Sequence, residues 1–396
     1  MITSLTFFIT LGITALLFWS LTKQSHRALL LTLFSLIFLF LSQPSVLLTL
    51  IPVSILSYLS AVQLGKQKNT SKRILLYVSV SLLVLLLLFY KAPQSIFSSL
   101  RAIFMTGSSS GIVDSMIYPL GLSYLVFKVI SFLADVYWEK VEPGNFLNYL
   151  SYISLFTIYT AGPIERYTNY KPQIEKQAEC FSSSYFEFAI YRISIGLFKK
   201  IVLANWIGYY LLNYRHLQRS ASFESLDIIG LCIFSFQIYF DFAGYSDIAI
   251  GSSKLFGITV MENFTSPFTK PNISKFWQSW HISLSSWIRD YIFYPLSMAS
   301  FFRRIDFQIT KNISLLRLWN MTALPEIAFT VCGLWHGITL GFIIWGAMHG
   351  LALAVYSTWN YSKNKYNLSG NQSKILYALG MIITFLFVSI SWQFFL

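Results

Sequence analysis

Histidine is the side chain in this sequence best suited to proton transfer near neutral pH. Three of the five histidines, His281, His336 and His349, lie in strongly hydrophobic segments, whereas His26 and His216 lie in polar stretches and are expected to be solvated. Apolar surroundings should keep a histidine neutral, because desolvation disfavours the imidazolium and lowers its pKa. A neutral imidazole has a free nitrogen that can take a proton from an attacking hydroxyl.

His336 is the first candidate for this chemistry, since it ends the string Cys-Gly-Leu-Trp-His inside a long charge-free run. A packing histidine bonded to a neighbouring carbonyl is the alternative, and the glycines at 333, 337 and 341 equally suggest close helix packing. His349 follows 13 residues later. A continuous helix would turn it about 140° away, so we expect it to lie apart from His336 unless the helix breaks between them.

His281 lies in a segment, residues 274–291, that combines tryptophans with polar side chains. If the segment is helical, Trp277 and His281 share one face with two apolar residues. A second, polar face then carries Gln278, Ser285 and Arg289. This pattern is typical of an interfacial or re-entrant helix. In the alternative, the tryptophans anchor the helix and His281 only packs among them.

Acidic residues within otherwise apolar sequence form a third feature. Asp241 and Asp247 interrupt the apolar stretch 237–251, and Asp290 follows directly after a basic residue. An intramembrane acid is a functional hypothesis by default, because placing a charge at membrane depth costs at least about 2.5 kcal/mol. The alternative is a structural ion pair. Its candidate basic partners are Arg192, Lys199 and Arg289.

The composition indicates that lipid surrounds most of these groups. Of the 396 residues, 55% are hydrophobic and only 11% are charged, against roughly 25% charged in soluble domains. A water-soluble enzyme is therefore excluded, because too few polar groups exist to cover its surface. The net charge is +13, but the basic residues lie mainly between apolar runs, so we expect loops facing anionic lipid rather than nucleic acid. The three cysteines have no metal-ligand spacing, and no metal site is expected.

Charge-free runs predict the membrane helices, since a spanning helix needs about 20 mainly apolar residues. The runs are 1–22, 28–65, 74–90, 143–164, 327–362 and 375–396. Gln43-Pro44 should divide the second run, because proline disfavours helix in the residue before it. The run 327–362 should be a pair divided around Gly341. The first and third loops hold Lys or Arg and no acid, which places both in the cytoplasm and the N-terminus outside.

These elements predict an all-α polytopic integral membrane protein of about 10–12 membrane helices, some of them re-entrant or interfacial. We expect one membrane domain over residues 1–396. Within it, residues 1–90 form scaffold helices, residues 118–350 form the motif-bearing core and residues 375–396 form a terminal helix. The charged residues of the core should face a chamber with polar walls or snorkel to an interface.

Several strings in fixed order resemble the membrane-bound O-acyltransferase family, specifically its bacterial branch of alginate O-acetyltransferase-like and D-alanyl-transfer proteins. The downstream strings are Tyr239–Gly251, Glu262-Asn263-Phe264, Phe276–Tyr291 with Pro295, Gly333–Gly337, Trp345-Gly346 and His349-Gly350. The upstream strings are Pro119–Tyr124 with Phe127, and Ala161–Arg166. The resemblance covers residues 118–350 firmly and the remainder loosely.

This resemblance implies a chamber with a tunnel, in which an acyl group moves from a cytoplasmic-side donor to a hydroxyl of an extracytoplasmic polysaccharide or cell-wall polymer. No bound cofactor is implied; the donor, acetyl-CoA or an acyl-carrier thioester, is a co-substrate. The family's central histidine corresponds to His336 and its second motif histidine to His281. The candidates for the tunnel wall are Trp277, Trp280, Trp335, Asp241, Asp247, Arg289, Asp290 and His349.

The resemblance also implies an exported acyltransferase partner protein and the inner membrane of a bacterial cell. Asp247 and the run 281–285 look more like the acetyltransferase subgroup, so acetyl is the first expectation. The run 162–166 and the short length look more like proteins that pass D-alanine from a carrier protein to a teichoic-acid-type polymer. A membrane transporter or channel, which would use the same charges as a solute pathway, is the alternative of another class.

Overall fold

The computed structural model describes residues 2–67, 69–91, 118–176, 182–219, 227–298, 314–366 and 374–395. These residues form helices joined by short connections, and the extended pairing among them is limited to one isolated bridge between Phe264 and Trp280. The prediction of an all-α fold is confirmed. The chain divides into two compact units, residues 1–197 with 245–261 and residues 198–244 with 262–396.

The first unit is built from the N-terminal helices and also contains residues 245–261, which include the end of a later helix. Its helices are α1 (Leu5–Ser20), α2 (Gln24–Ser42), α3 (Ser45–Lys66), α4 (Asn69–Lys91), α5 (Leu122–Tyr137), α6 (Phe146–Ser154), α7 (Tyr167–Glu175) and α8 (Ser183–Leu197). His26 is exposed near the start of α2.

The second unit contains the histidine motifs. It begins with a π-helical turn, Phe198–Ala204, and continues with α9 (Asn205–Arg219), the first part of α10 (Ile228–Lys254), α11 (Ile273–Trp277), α12 (Ile282–Ile288), α13 (Tyr294–Ser297), α14 (Ser314–Met321), α15 (Ala323–His336), α16 (Leu340–Lys365) and α17 (Lys374–Ser391). A second π-helical turn, Arg289–Phe293, joins α12 to α13. His216 lies in α9, and its side chain is outside the described residues.

Seven helical runs among the described residues are long and apolar enough to cross a membrane. They are Gln24–Ser42, Ser45–Lys66, Thr70–Lys91, Ser183–Tyr214, Ile228–Lys254, Leu340–Lys365 and Lys374–Phe394. Large apolar side chains on α1 to α4 remain exposed, as expected of helices that meet lipid rather than water. The chain is a multi-pass membrane protein.

Two predicted helix boundaries are confirmed. α2 ends at Ser42 and α3 begins at Ser45, and the residue before the proline, Gln43, is extended with φ −159° and ψ 97°. This conformation is the one that a following proline favours. α15 ends at His336 and α16 begins at Leu340, so the run 327–362 is a helix pair as expected.

The prediction of a helix throughout 143–164 is wrong. Within this run only α6 is helical, and it has nine residues. Asn145 caps its N-terminus by accepting the Asn148 N–H, and the chain turns after Ser154. The run is apolar because it is buried inside the first unit, where Tyr149 and Tyr152 are fully enclosed, and not because it faces lipid.

Candidate active site

Asn263 holds the chain around His281 in place. The backbone N–H of Ile282 donates to the Asn263 carbonyl at 3.0 Å, and the Asn263 side-chain oxygen accepts from the Ser283 N–H at 3.3 Å. Asn263 is itself fully buried. Its two contacts fix the backbone on the C-terminal side of His281.

The helix expected over 274–291 is interrupted, and the predicted face shared by Trp277 and His281 is wrong. α11 ends at Trp277, and His281 adopts a left-handed conformation with φ 44° and ψ 53° before α12 begins at Ile282. Few residues other than glycine take this conformation. The contact with Asn263 accompanies this break, since it uses the Ile282 N–H that a continuous helix would bond to one of its own carbonyls.

The His281 ring is buried, and its nitrogens make no hydrogen bond to the described residues. His281 is 4% exposed, and neither of its ring nitrogens reaches a donor or acceptor in the part of the chain that the structure describes. The Phe242 ring meets it edge-on at 4.6 Å between centroids. Burial lowers the pKa of His281 to about 3, so the ring is neutral. An enclosed neutral ring of this kind has free hydrogen-bonding capacity.

His336 occupies the last position of α15, directly before the break that precedes α16. Its ring lies among four aromatic side chains and remains partly exposed. The centroid distances are 4.5 Å to Trp335, 6.0 Å to Phe342, 5.3 Å to Trp345 and 4.8 Å to Phe395. The ring is therefore enclosed on several sides without being sealed in the core.

Glycines allow α15 and α16 to approach closely beneath His336. A Cβ atom on Gly333 would lie 2.1 Å from the Phe342 carbonyl oxygen, and one on Gly346 would lie 2.4 Å from the Phe329 carbonyl oxygen. Both distances are far below van der Waals contact, so these positions require glycine. The glycines therefore do allow close helix packing, as their spacing suggests. This packing is compatible with a partly exposed His336 at the end of α15.

His349 has a packing position. It is fully buried, the Trp277 indole N–H donates to its Nδ1 at 3.3 Å, and its Nε2 lies 3.0 Å from the Ser391 hydroxyl oxygen. Because the helix does break between 336 and 340, both histidines contact the same ring: Trp345 lies 5.3 Å from His336 and 4.9 Å from His349. His349 thus supports the wall behind His336 with both nitrogens engaged.

Aromatic contacts connect the two histidine segments within the second unit. Phe395, which packs on His336, lies 5.3 Å from Trp392, and Trp392 lies 5.7 Å from Trp280, the residue before His281. Trp280 is buried in this cluster. Trp392 and Phe395 are not recognisable as site residues from the sequence, since they lie far along the chain in an ordinary apolar run.

A cavity of about 340 Å³ opens in the second unit beside the His281 segment. This volume is at the lower end of the range for small-molecule sites. The three residues of the predicted polar face, Gln278, Ser285 and Arg289, all line it. Trp277 lines it too, whereas His281 and His336 are not among its lining residues.

The charged candidates form ion pairs. In the first unit, Asp247 lies 2.6 Å from Arg192, as the alternative reading allowed. In the second unit, Asp241 lies 2.6 Å from Lys200, a partner that the sequence analysis did not name. Arg289 and Asp290 pair with each other at 2.9 Å. The Arg192–Asp247 pair is largely buried and joins α8 to α10, whereas the Lys200–Asp241 pair is partly exposed and Arg289–Asp290 lies within one turn.

Asn263 and two indole groups were also missed as site residues. In the sequence Asn263 is only part of a motif. An amide side chain within an apolar string was nevertheless a signal for a structural hydrogen bond. Trp345 and Trp392 are almost fully buried, and their indole N–H groups reach no acceptor among the described residues. Trp335 packs directly on His336.

Comparison with known proteins identifies the family. The model of the membrane-bound O-acyltransferase family matches residues 46–310, more than half of the chain. A probable alginate O-acetylase of Pseudomonas aeruginosa is 29% identical over 381 residues, which is 95% of this chain and 68% of the relative. A peptidoglycan O-acetyltransferase of Helicobacter pylori is 29% identical over 355 residues, 83% of this chain and 63% of the relative.

A teichoic acid D-alanyltransferase of Streptococcus thermophilus is also similar, at 29% identity over 301 residues, 71% of this chain and 69% of the relative. The chain therefore spans about two thirds of the length of these curated relatives. Acyl transfer to polymers is the activity that these similarities support, and they do not support the transporter alternative. The chain belongs to the membrane-bound O-acyltransferase family.

Proposed function

We propose that the chain transfers an acyl group, acetyl in the first place, from a thioester donor on the cytoplasmic side toward a hydroxyl of an extracytoplasmic polysaccharide or cell-wall polymer. The observation that carries this proposal is the position of His336 at a helix break, partly exposed and surrounded by aromatic rings. The relatives named as alginate and peptidoglycan acetylating enzymes support acetyl as the group transferred.

His336 acts as the general base in this proposal. Its ring nitrogen takes the proton of the incoming hydroxyl while the hydroxyl oxygen attacks the acyl carbonyl carbon. The bond between that carbon and the donor sulfur then breaks, and the thiol leaves with the proton that the histidine held. General base catalysis of this type contributes about 10² to 10⁴ in rate.

The indole groups of Trp345 and Trp392 are suited to the oxygen of the acyl carbonyl. Both are buried in the aromatic cluster that holds His336, and neither finds an acceptor among the described residues. A buried donor without a partner costs about 1–3 kcal/mol, a cost that a bound carbonyl oxygen would remove. Such donors stabilise the negative charge that develops on this oxygen in the transition state.

His281 orients a substrate in this scheme. The ring is neutral and its nitrogens have no partner in the described part of the chain, so it can donate or accept one hydrogen bond. Trp277, Trp280 and Trp335 complete the apolar walls, and water exclusion by such walls protects an activated thioester from hydrolysis. In this scheme Asp241, Asp247, Arg289 and Asp290 serve in their ion pairs rather than act on substrate.

Replacing His336 with alanine tests the assignment. We expect the His336→Ala variant to lose polymer acylation in cells by at least 100-fold while its level in the membrane stays normal. His26→Ala is the matched control, because His26 is exposed at the start of α2, and it should leave acylation unchanged. Full acylation by a normally inserted His336→Ala variant would refute the role.

D-alanine delivered by a carrier protein is the second candidate for the transferred group, and the similarity to a teichoic acid D-alanyltransferase favours it. Mild base releases either group from its ester. Mass spectrometry of the released acid then separates acetate from D-alanine, and neither should appear in a deletion strain. We also propose an exported acyltransferase as partner and a bacterial inner membrane as the location. Crosslinking of the tagged full chain in its own cells would identify the partner.

A further inference from the structure

A small cavity of about 230 Å³ lies within the first unit, separate in sequence from the histidine motifs. Residues from the end of α1, the start of α2, the end of α7 and the loop after α10 line it. We call it the basic cavity, because Arg27, Lys176 and Lys254 line it and none of its described lining residues is acidic.

Two of the three basic groups, those of Arg27 and Lys254, contact aromatic rings. Arg27 is only 6% exposed, and its guanidinium lies 4.9 Å from the Phe18 ring centroid and 4.8 Å from that of Trp19. The Lys254 ammonium lies 4.3 Å from the Tyr185 ring centroid. Contacts of this type favour the cationic form, and they fix two positive charges at the cavity wall.

Hydrogen bonds between side chains and backbone make the walls rigid. The Trp19 indole N–H donates to the Leu255 carbonyl at 2.8 Å, which ties α1 to the end of α10. The Gln173 amide nitrogen donates to the Thr259 carbonyl at 3.0 Å, and its oxygen accepts the Thr259 N–H at 2.8 Å. Gln24 donates to the Ile174 carbonyl in the same way. A site formed in advance needs little ordering when a ligand binds.

We propose that the basic cavity binds the phosphate group of an anionic ligand, either a phospholipid headgroup of the cytoplasmic leaflet or a soluble phosphate ester. Three basic lining residues, with no carboxylate among the described lining residues, match a phosphate in charge. The volume is below that of drug-sized sites and suits a headgroup. Lys23, before α2, and Arg27, in its first turn, lie at the end of α2 that the positive-inside rule places in the cytoplasm.

One further polar atom favours a ligand with a hydroxyl or ammonium beside its phosphate. The Gln24 side-chain oxygen is buried and accepts no hydrogen bond within the described part of the chain. Gln24 lines the basic cavity, so a donor on the ligand can satisfy this oxygen. Glycerol phosphate carries such a donor next to its phosphate.

Binding of two probes to the purified full chain tests the proposal. Phosphatidylglycerol, counted by native mass spectrometry in a neutral detergent, represents the lipid source. Glycerol 3-phosphate, measured by equilibrium dialysis, represents the soluble source. We expect saturable binding of at least one probe at one site per chain. Binding of only one probe identifies the source, and binding of both identifies the phosphate as the group recognised.

Two double variants distinguish binding in the basic cavity from binding to surface charge in general. A cation near the membrane surface contributes about a fivefold change in affinity, so Lys176→Gln with Lys254→Gln should weaken binding about 25-fold. Lys66→Gln with Lys365→Gln removes the same charge at exposed residues outside the cavity and should change affinity less than twofold. Arg27 is left unchanged because it is buried.

A variant that keeps both charges controls for loss of binding caused by misfolding. Lys176→Arg with Lys254→Arg keeps both cations and should bind as the wild type does, to within about twofold. The proposal is overturned if neither probe binds saturably, or if the two glutamine double variants weaken binding equally. It is also overturned if the arginine variants lose as much affinity as the glutamine variants at the cavity.

Discussion

The contact between α15 and α16 determines where His336 lies, and Gly333→Ala tests this contact. A Cβ atom on Gly333 would lie 2.1 Å from the Phe342 carbonyl oxygen and 3.0 Å from its carbonyl carbon. These are backbone atoms of α16, so they cannot rotate away. To restore an ordinary contact the two helices must separate by about 1 Å, since protein interiors are close-packed.

The expected cost follows from this displacement. Overpacking of this kind lowers the free energy of unfolding by about 1–3 kcal/mol. His336 lies one turn beyond Gly333 on the same helix, so its ring moves relative to Trp345 and Phe342. A misplacement of about 1 Å costs on the order of 100-fold in rate. We therefore expect a loss of acylation larger than the loss of stability alone would produce.

Two further glycines supply the comparison. Gly12→Ala in α1 meets no atom within 4 Å, and it should be neutral or stabilise the protein by about 0.5–1 kcal/mol. Gly337→Ala meets the Phe342 ring at 2.5 Å; because that side chain can rotate, its cost in stability should be smaller. Polymer acylation normalised to membrane level, together with unfolding in a denaturing detergent series, measures both effects. Wild-type rate and wild-type stability of Gly333→Ala would refute the helix contact.

Two other substitutions follow from the ion pairs and the buried ring. Arg192→Met removes the cation from Asp247, whose side chain is 9% exposed, and should destabilise the fold by about 3–5 kcal/mol. Lys200→Met, whose carboxylate partner is 53% exposed, should cost less than about 1 kcal/mol; equal costs in an unfolding titration would contradict this difference. His281 binds a proton more weakly in the fold than in the unfolded chain, so stability should fall as the pH drops below about 6.5. His281→Asn should flatten that slope in a pH series of unfolding curves, and an unchanged slope would show that another group causes it.

Local sequence patterns predicted two helix boundaries, and hydropathy alone gave a wrong prediction for the run 143–164. The break at Gln43-Pro44 was predictable because proline acts on its immediate neighbour. The run 143–164 was misread because a residue such as Tyr149, enclosed by protein, has the same apolar neighbours in sequence as a residue facing lipid. Only the three-dimensional packing distinguishes the two environments.

The helical spans 183–214 and 228–254 were not found by the search for charge-free runs, because each carries charges. Two pairs of opposite charges join the two spans, Arg192 with Asp247 and Lys200 with Asp241. Pairing lowers the cost of placing a charge in an apolar helix. Counting charges along the sequence does not identify ion-pair partners that lie 41 or more residues apart.

The candidate site depends on distant contacts in the same way. The strings around His281 and His336 were recognisable because their residue types are local, but the contact that sets the His281 backbone comes from Asn263. The rings that enclose His336 include Phe395, close to the end of the chain. Pairings of this range follow from the folded chain, and no spacing rule in the sequence predicts them.

Burial alone does not distinguish a histidine that only packs from one that can form a hydrogen bond with a substrate. His281 and His349 are both buried among aromatic rings and looked alike in sequence. The structure separates them by their hydrogen bonds, since Trp277 and Ser391 engage both nitrogens of His349 while those of His281 find no described partner. A protein tolerates an unsatisfied buried imidazole only at a cost, and a substrate that supplied the missing hydrogen bond would remove this cost. Of the two, His281, whose nitrogens meet no partner among the described residues, is therefore the better candidate for contact with substrate.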